Sequence, residues 1–186
     1  MVWGPSSDGG LYCAGPLFGD DFEDGILSDE WNYRNGSWIE SNGQLIGVPI
    51  NRRTVAIASP IFSGCSICEI SIAIESEGGP LSIVSLLGWY QNQSNSLELQ
   101  FKPEADKWIL KQRVNGVVVA KKSKILQTDP GVSYDVRLGF DGNYFKLFVN
   151  GSLVLSMIKS PGSAPFGTVG FQVKNTTGSF RYINVR

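Results

Sequence analysis

The chain has 186 residues, 42% of them hydrophobic and 18% charged, with a formal net charge of −1 and no histidine. That balance suits one globular domain with its own core and excludes a disordered chain. The charge argues against a nucleic-acid partner, the missing histidine excludes Ser-His-Asp and Cys-His catalysis, and no apolar run reaches the ~20 residues of a membrane helix.

In chain order, residues 1–15 read as an N-terminal arm and 16–186 as one domain. Helical periodicity is confined to a single turn over 27–31. From residue 36 onward, apolar and polar residues alternate with the period of two that marks strands. The spacing predicts strands at 17–23, 36–40, 44–48, 54–60, 66–76, 81–91, 97–102, 108–114, 117–121, 133–140, 144–149, 152–158, 168–174 and 179–185. Asn42-Gly43, Asn115-Gly116, Asp141-Gly142 and Asn150-Gly151 separate apolar-rich runs. Such dipeptides accept the positive φ angles of tight hairpins, so the strands read as an antiparallel meander. That many strands exceed one open twisted sheet. The expected fold is therefore all-β, a two-sheet antiparallel β-sandwich (jelly roll) of about 12–14 strands. No internal repeat supports a propeller or solenoid.

Three cysteines, Cys13, Cys65 and Cys68, allow a disulfide between the N-terminal segment and the Cys65 region, or buried thiols. A three-thiolate zinc site is the weaker reading. The sequons at Asn35, Asn92, Asn150 and Asn175 suit an extracellular or cell-surface location, although the first five residues lack the features of a signal peptide.

Several outward-phased residues form a candidate ligand face. Leu97, Leu99 and Phe101 alternate with Glu98 and Gln100, and Lys111 and Arg113 are opposite in phase to Trp108 and Leu110. Asp135 and Arg137 lie on the polar phase of their strand, and the following strand adds Lys146 and Phe148. Trp89, Tyr90 and Gln91 fall where a strand gives way to a turn, a natural rim. An aromatic plate stacks on the apolar face of a pyranose, while planar polar groups bond its hydroxyls. Were these strands neighbours in one sheet, they would present such a surface; an ordinary solvated sheet alternates in the same way. Trp31, Trp38 and Trp108 are expected in the core.

The run Tyr134-Asp135-Val136-Arg137-Leu138-Gly139-Phe140, the Asp141-Gly142-Asn143 turn and the strand from Tyr144 to Val149 resemble the central hairpins of laminin-G-like and concanavalin A-like jelly rolls. The segments Leu17 to Phe22, Gly36-Ser37-Trp38 and Gly167 to Phe171 agree with the opening and closing strands of that lectin/glucanase superfamily. The resemblance implies a polysaccharide or glycan partner, but the superfamily holds lectins, binding modules, glycosidases and adhesion domains alike. It also implies a structural calcium joining the first and last strands. Asp20, Asp21 and Glu23, with Asp24, offer oxygen ligands for it; the plainer reading is an acidic, solvated hairpin edge.

Glu69 and Glu75 resemble the acid motif of laminarinase-type glycosidases, but Ser71 stands in the place of the middle acid. Six strand residues span about 20 Å, beyond the ~5–9.5 Å that separates glycosidase carboxylates. The expected function is therefore a non-catalytic carbohydrate-binding module. The alternatives are an adhesive domain that self-associates through edge strands at 54–60 or 179–185, and a glycosidase-like enzyme.

Overall fold

Asn42-Gly43, Asn115-Gly116 and Asn150-Gly151 each place both residues at positive φ, between 47° and 81°, and each closes a hairpin. Asn tolerates this region and Gly adopts it freely, which is why these dipeptides turn the chain back on itself. The computed structural model describes residues 3–5, 11–13, 17–51, 56–60, 67–161 and 166–186.

The strands pack as two antiparallel sheets. The seven-stranded sheet runs, in spatial order, β12 (Val117–Ile125), β11 (Lys107–Val114), β10 (Asn95–Lys102), β9 (Ile83–Asn92), β16 (Thr168–Lys174), β7 (Ala56–Pro60) and β4 (Trp31–Arg34). The eight-stranded sheet runs β15 (Ser152–Ile158), β14 (Tyr144–Val149), β13 (Tyr134–Phe140), β8 (Glu69–Ser76), β17 (Gly178–Val185), β6 (Leu45–Pro49) and β5 (Gly36–Glu40), with β3 (Phe18–Asp20) also paired to β17. Within the expected arm, β1 (Trp3–Pro5) and β2 (Leu11–Cys13) form a short separate hairpin. Among the described residues no helix is long and apolar enough to cross a membrane.

The inner faces of the two sheets make one core. Leu97, Leu99 and Phe101 of β10 meet Ile70, Ile72 and Ile74 of β8 and Val136, Leu138 and Phe140 of β13 in a single buried cluster. Aromatic contacts tie the layers together: Phe171 stacks on Phe180 at 3.9 Å between ring centroids, and Phe101 meets Tyr134 edge-on at 5.4 Å. Each such buried side chain contributes on the order of 1.5–3 kcal/mol of hydrophobic stabilisation. Trp31, Trp38 and Trp108 all lie in this core, as expected.

Every expected strand is present, with ends shifted by a few residues. Three strands were not anticipated: β1 and β2 within the expected arm, and β4, four residues of mixed polarity; all three are too short to show a period. Asn35, at φ 55°, turns the chain from β4 in one sheet to β5 in the other. Residues 27–31 form no helix; the Trp31 N–H donates to Ser28 O at 3.2 Å, closing a simple turn. A 3₁₀ turn occurs instead at Pro103–Ala105.

The expected edges are corrected. Segment 179–185 falls in β17, paired on one side with β8 and on the other with β6 and β3, and β7 lies between β16 and β4. The outermost strands among the described residues are β12, β4, β15 and β5. Alternation reveals which face of a strand is buried but not its place in the sheet order.

Candidate functional site

Residues directly opposite on antiparallel strands project to the same face. Glu98 pairs in register with Lys111 on β11 and Leu87 on β9; Gln100 pairs with Ser85, and Ser85 with Gln172 on β16. Because Leu97, Leu99 and Phe101 point into the core, Glu98 and Gln100 must point out, and these registers carry their partners out with them.

The result is a polar network on the outer face of the seven-stranded sheet. Glu98 is an ion-pair partner of Lys111 through Oε2. Its Oε1 accepts hydrogen bonds from Gln100 Nε2 at 2.6 Å, Ser85 Oγ at 3.2 Å and Gln172 Nε2 at 3.3 Å. Only 7% of Glu98 is exposed. A buried carboxylate without partners would cost several kcal/mol, so the convergence of four donors is what allows it to sit there. This network floors a depression of about 500 Å³ that also meets Leu87, Tyr90, Arg113 and Lys174.

A bulge sets which aromatic reaches this face. Between the pairs Thr168↔Tyr90 and Gly170↔Leu87, Val169 alone stands opposite two residues, Gly88 and Trp89. Trp89 takes φ 47° and turns inward, with its ring 5.2 Å from Phe145 and 5.9 Å from Phe140. Gly88 faces inward too, the place of its absent Cβ being 3.3 Å from Ile70 Cδ1. The extra residue shifts the phase of the strand, so Tyr90 emerges on the outer side and packs with Leu87 and Ile57 as a small apolar wall. Burial raises the Tyr90 phenol pKa, with Arg34 opposing the shift, so the hydroxyl stays neutral at ordinary pH.

Of the residues singled out in the sequence, the fold brings together Tyr90, Glu98, Gln100, Lys111 and Arg113. Trp89 is not at the rim: it is 2% exposed and belongs to the core. Gln91 is exposed beyond the depression, its Nε2 donating to Phe166 O at 2.8 Å.

Asp135, Arg137 and Lys146 lie on the other sheet, because β13 and β14 extend the eight-stranded layer. There Arg137 pairs with Glu69 at 3.1 Å and stacks over Phe148, Lys146 pairs with Asp141 at 2.8 Å, and Asp135 accepts from Tyr182. The single expected face is thus divided between opposite sides of the sandwich. Ser85 and Gln172, in turn, did not stand out in the sequence; their polar phase within apolar strands was the available signal.

In the acidic turn, Asp20, Asp21 and Asp24 are held by local hydrogen bonds. Asp20 accepts from the Phe22 N–H and from Trp31 Nε1 at 2.8 Å, while Asp21 and Asp24 accept from backbone N–H groups two residues on. Among the described residues no three His, Cys, Asp or Glu are grouped to hold a metal. A depression of about 610 Å³ is lined by Asp20, Asp21, Asp24, Glu30 and Glu40. Burial, with the hydrogen bond to Asp24 and the charges of Asp20 and Asp24 behind it, pushes Glu40 up to about 7.

Glu69 and Glu75 share the outer phase of β8, but each pairs with its own arginine, Glu75 with Arg181 at 3.8 Å. Cys68 is disulfide-bonded, so it cannot serve as a zinc thiolate; Cys65 and the Cys13 side chain lie outside the described residues.

No protein-family model matches the chain, and no curated protein matches its sequence. Solved structures do. The chain is similar to the carbohydrate-binding module CBM66 from Bacillus subtilis, with 18% identity and a TM-score of 0.69 over 82% of this chain and 92% of that one. It is also similar to a β-1,3-1,4-glucanase (lichenase) derived from a mouse hindgut metagenome, with 12% identity and a TM-score of 0.73 over 90% and 97% of the two chains. A laminarinase from a Flavobacterium species aligns with 12% identity and a TM-score of 0.67 over 91% and 99%. At such identities the likeness shows the fold, a concanavalin A-like jelly roll.

Proposed function

We propose that this chain is a non-catalytic carbohydrate-binding domain whose ligand lies in the depression over Glu98, on the outer face of the seven-stranded sheet. The observation that carries this reading is the fixed set of amide, hydroxyl, carboxylate and ammonium groups from four adjacent strands, walled on one side by Tyr90 and Leu87. Preorganised polar groups beside a small apolar wall suit a sugar, which presents hydroxyls at its edge and C–H groups on its face. Cleavage of a glycosidic bond calls for two carboxylates, and among the described residues Glu98 is the one carboxylate lining this depression. A solved carbohydrate-binding module shares the fold. The Cys68 disulfide supports an extracellular setting, since such bonds persist in oxidising compartments.

A glycan-array screen followed by thermal shift tests the proposal. A ligand at 100 times its Kd stabilises the fold by about 2.7 kcal/mol, a visible rise in Tm. A hit lost on Gln100→Ala and Gln172→Ala supports the reading; no hit across the array sinks it.

One observation favours a second reading, a glycosidase. Glu40, pushed up to about 7, lies beside Asp24 in the acidic depression, and a carboxyl that holds its proton near a second carboxylate is what glycoside hydrolysis uses. Turnover of a β-glucan that disappears in Glu40→Gln would favour it over pure binding.

A further inference from the structure

The outer face of the seven-stranded sheet has a charge that its fold does not require. Lys102 stands directly opposite Lys107, and Lys111 directly opposite Lys121. Like charges facing each other across strands destabilise a sheet. Arg113 and Lys174 line the depression beside them, and Glu98 is the carboxylate lining it. Among the described residues the ion pair on this face is Glu98 with Lys111; Lys102, Lys107, Lys121 and Lys174 have no carboxylate partner. The accumulation is local, because the whole chain carries a net charge of −1.

Lys102 registers the resulting field. Burial lowers its pKa, and the charges of Lys111, Lys121 and Lys107 lower it further against the opposing pull of Glu98. The depression also continues past Ile83 and Lys174 into a second one of about 440 Å³ that reaches Lys102. An extended chain lying along both would pass Arg113, Lys174 and Lys102 in turn; the second depression also meets Glu104, whose Oε1 accepts the Gly79 N–H at 2.9 Å.

We propose that the polysaccharide bound on this face is an acidic one, bearing carboxylates or sulfate esters that pair with Lys102, Arg113 and Lys174. The proposal rests on the carbohydrate-binding reading and specifies its ligand class. An anionic chain would offset the opposed lysines, while the amides of Gln100 and Gln172 would bond its hydroxyls. A nucleic acid fits less well. Single strands are held by stacking on exposed aromatics, and the aromatic lining this depression, Tyr90, is only 9% exposed.

Binding of the intact chain to polygalacturonate, a sulfated galactan, a neutral galactan and single-stranded DNA, each at two salt concentrations, tests this. The expected result is binding to one or both acidic polysaccharides, weakened about tenfold or more by raising the salt. The two acidic ligands distinguish carboxylate from sulfate recognition. Lys174→Gln and Lys102→Gln should each weaken binding several-fold, and Arg181→Gln, on the opposite sheet, should leave it unchanged.

Equal, salt-independent binding of the neutral galactan overturns the acidic-ligand proposal and leaves the carbohydrate-binding reading standing. DNA bound as tightly as the acidic polysaccharides also overturns it, marking a general polyanion surface. Failure of every polysaccharide overturns the carbohydrate-binding reading itself.

Discussion

Glu98 on β10 and Lys111 on β11 are direct cross-strand partners, and their ion pair stands on the outer face of the seven-stranded sheet, one strand in from its β12 edge. Both side chains are largely buried, at 9% and 15% exposure respectively. Removing one partner leaves the other charge desolvated without its counterion. Lys111→Met should therefore destabilise the fold by about 2–4 kcal/mol in urea unfolding. Adding Glu98→Gln to it should recover much of the loss. A double variant as unstable as the sum of the two single ones would show that the pair is not coupled.

Trp89 and Tyr90 are neighbours in sequence with opposite duties. Trp89→Ala empties a space against Phe140 and Phe145 and should cost about 3–5 kcal/mol. Tyr90→Ala should cost less and act chiefly on ligand affinity. Paired urea unfolding and glycan titration separate the two, and a Trp89→Phe protein that keeps its stability but loses its ligand would contradict this division.

Trp38 and Gly47 are also cross-strand partners, and the indole covers the place where a Cβ would stand, 2.5 Å from Trp38 Cζ3. Gly47→Ala forces the ring out of its stack with Phe180 and should cost about 1–3 kcal/mol. Near-UV circular dichroism should report the displaced indole; an unchanged spectrum and midpoint would contradict the packing.

Glu40 gives stability a defined pH dependence. Its carboxyl is raised from 4.5 to about 7 in the fold, so the folded state holds its proton more tightly than the unfolded chain does. Below pH 4.5 both states are protonated and the contribution is fully present. Between pH 4.5 and 7 the unfolded chain loses the proton first, and stability falls as pH rises. Above about 7 the loss is complete, amounting to about 3 kcal/mol at most at roughly 1.4 kcal/mol per unit. Glu40→Gln should flatten this slope in denaturation midpoints measured across the window. An unaltered slope would place the titration elsewhere.

The strands and hairpins were legible because two local signals agree: period-two alternation and the Asn-Gly turns. Positive φ at Asn115 and Gly116, or at Asn150 and Gly151, is a property of those residues alone. Sheet membership is not local. Nothing within β13 says that Arg137 lies across the sandwich from Arg113, since both simply alternate with apolar neighbours. The bulge at Gly88 and Trp89 is equally hidden, because it exists only relative to Val169 on another strand. The local hydrogen bonds of the acidic turn, in which Asp20, Asp21 and Asp24 each accept a backbone N–H two residues on, likewise leave no mark on the alternation.

The central claim is that ligand sits over Glu98, and glycan titration of two matched variants tests it most directly. Gln100→Ala with Gln172→Ala strips the amides from that face, whereas Arg137→Ala alters only the opposite sheet. We expect at least about a tenfold loss of affinity, or about 1.4 kcal/mol, in the former and none in the latter. The reverse pattern, with affinity lost in Arg137→Ala and kept in the glutamine variant, would place the site on the eight-stranded sheet and contradict the account.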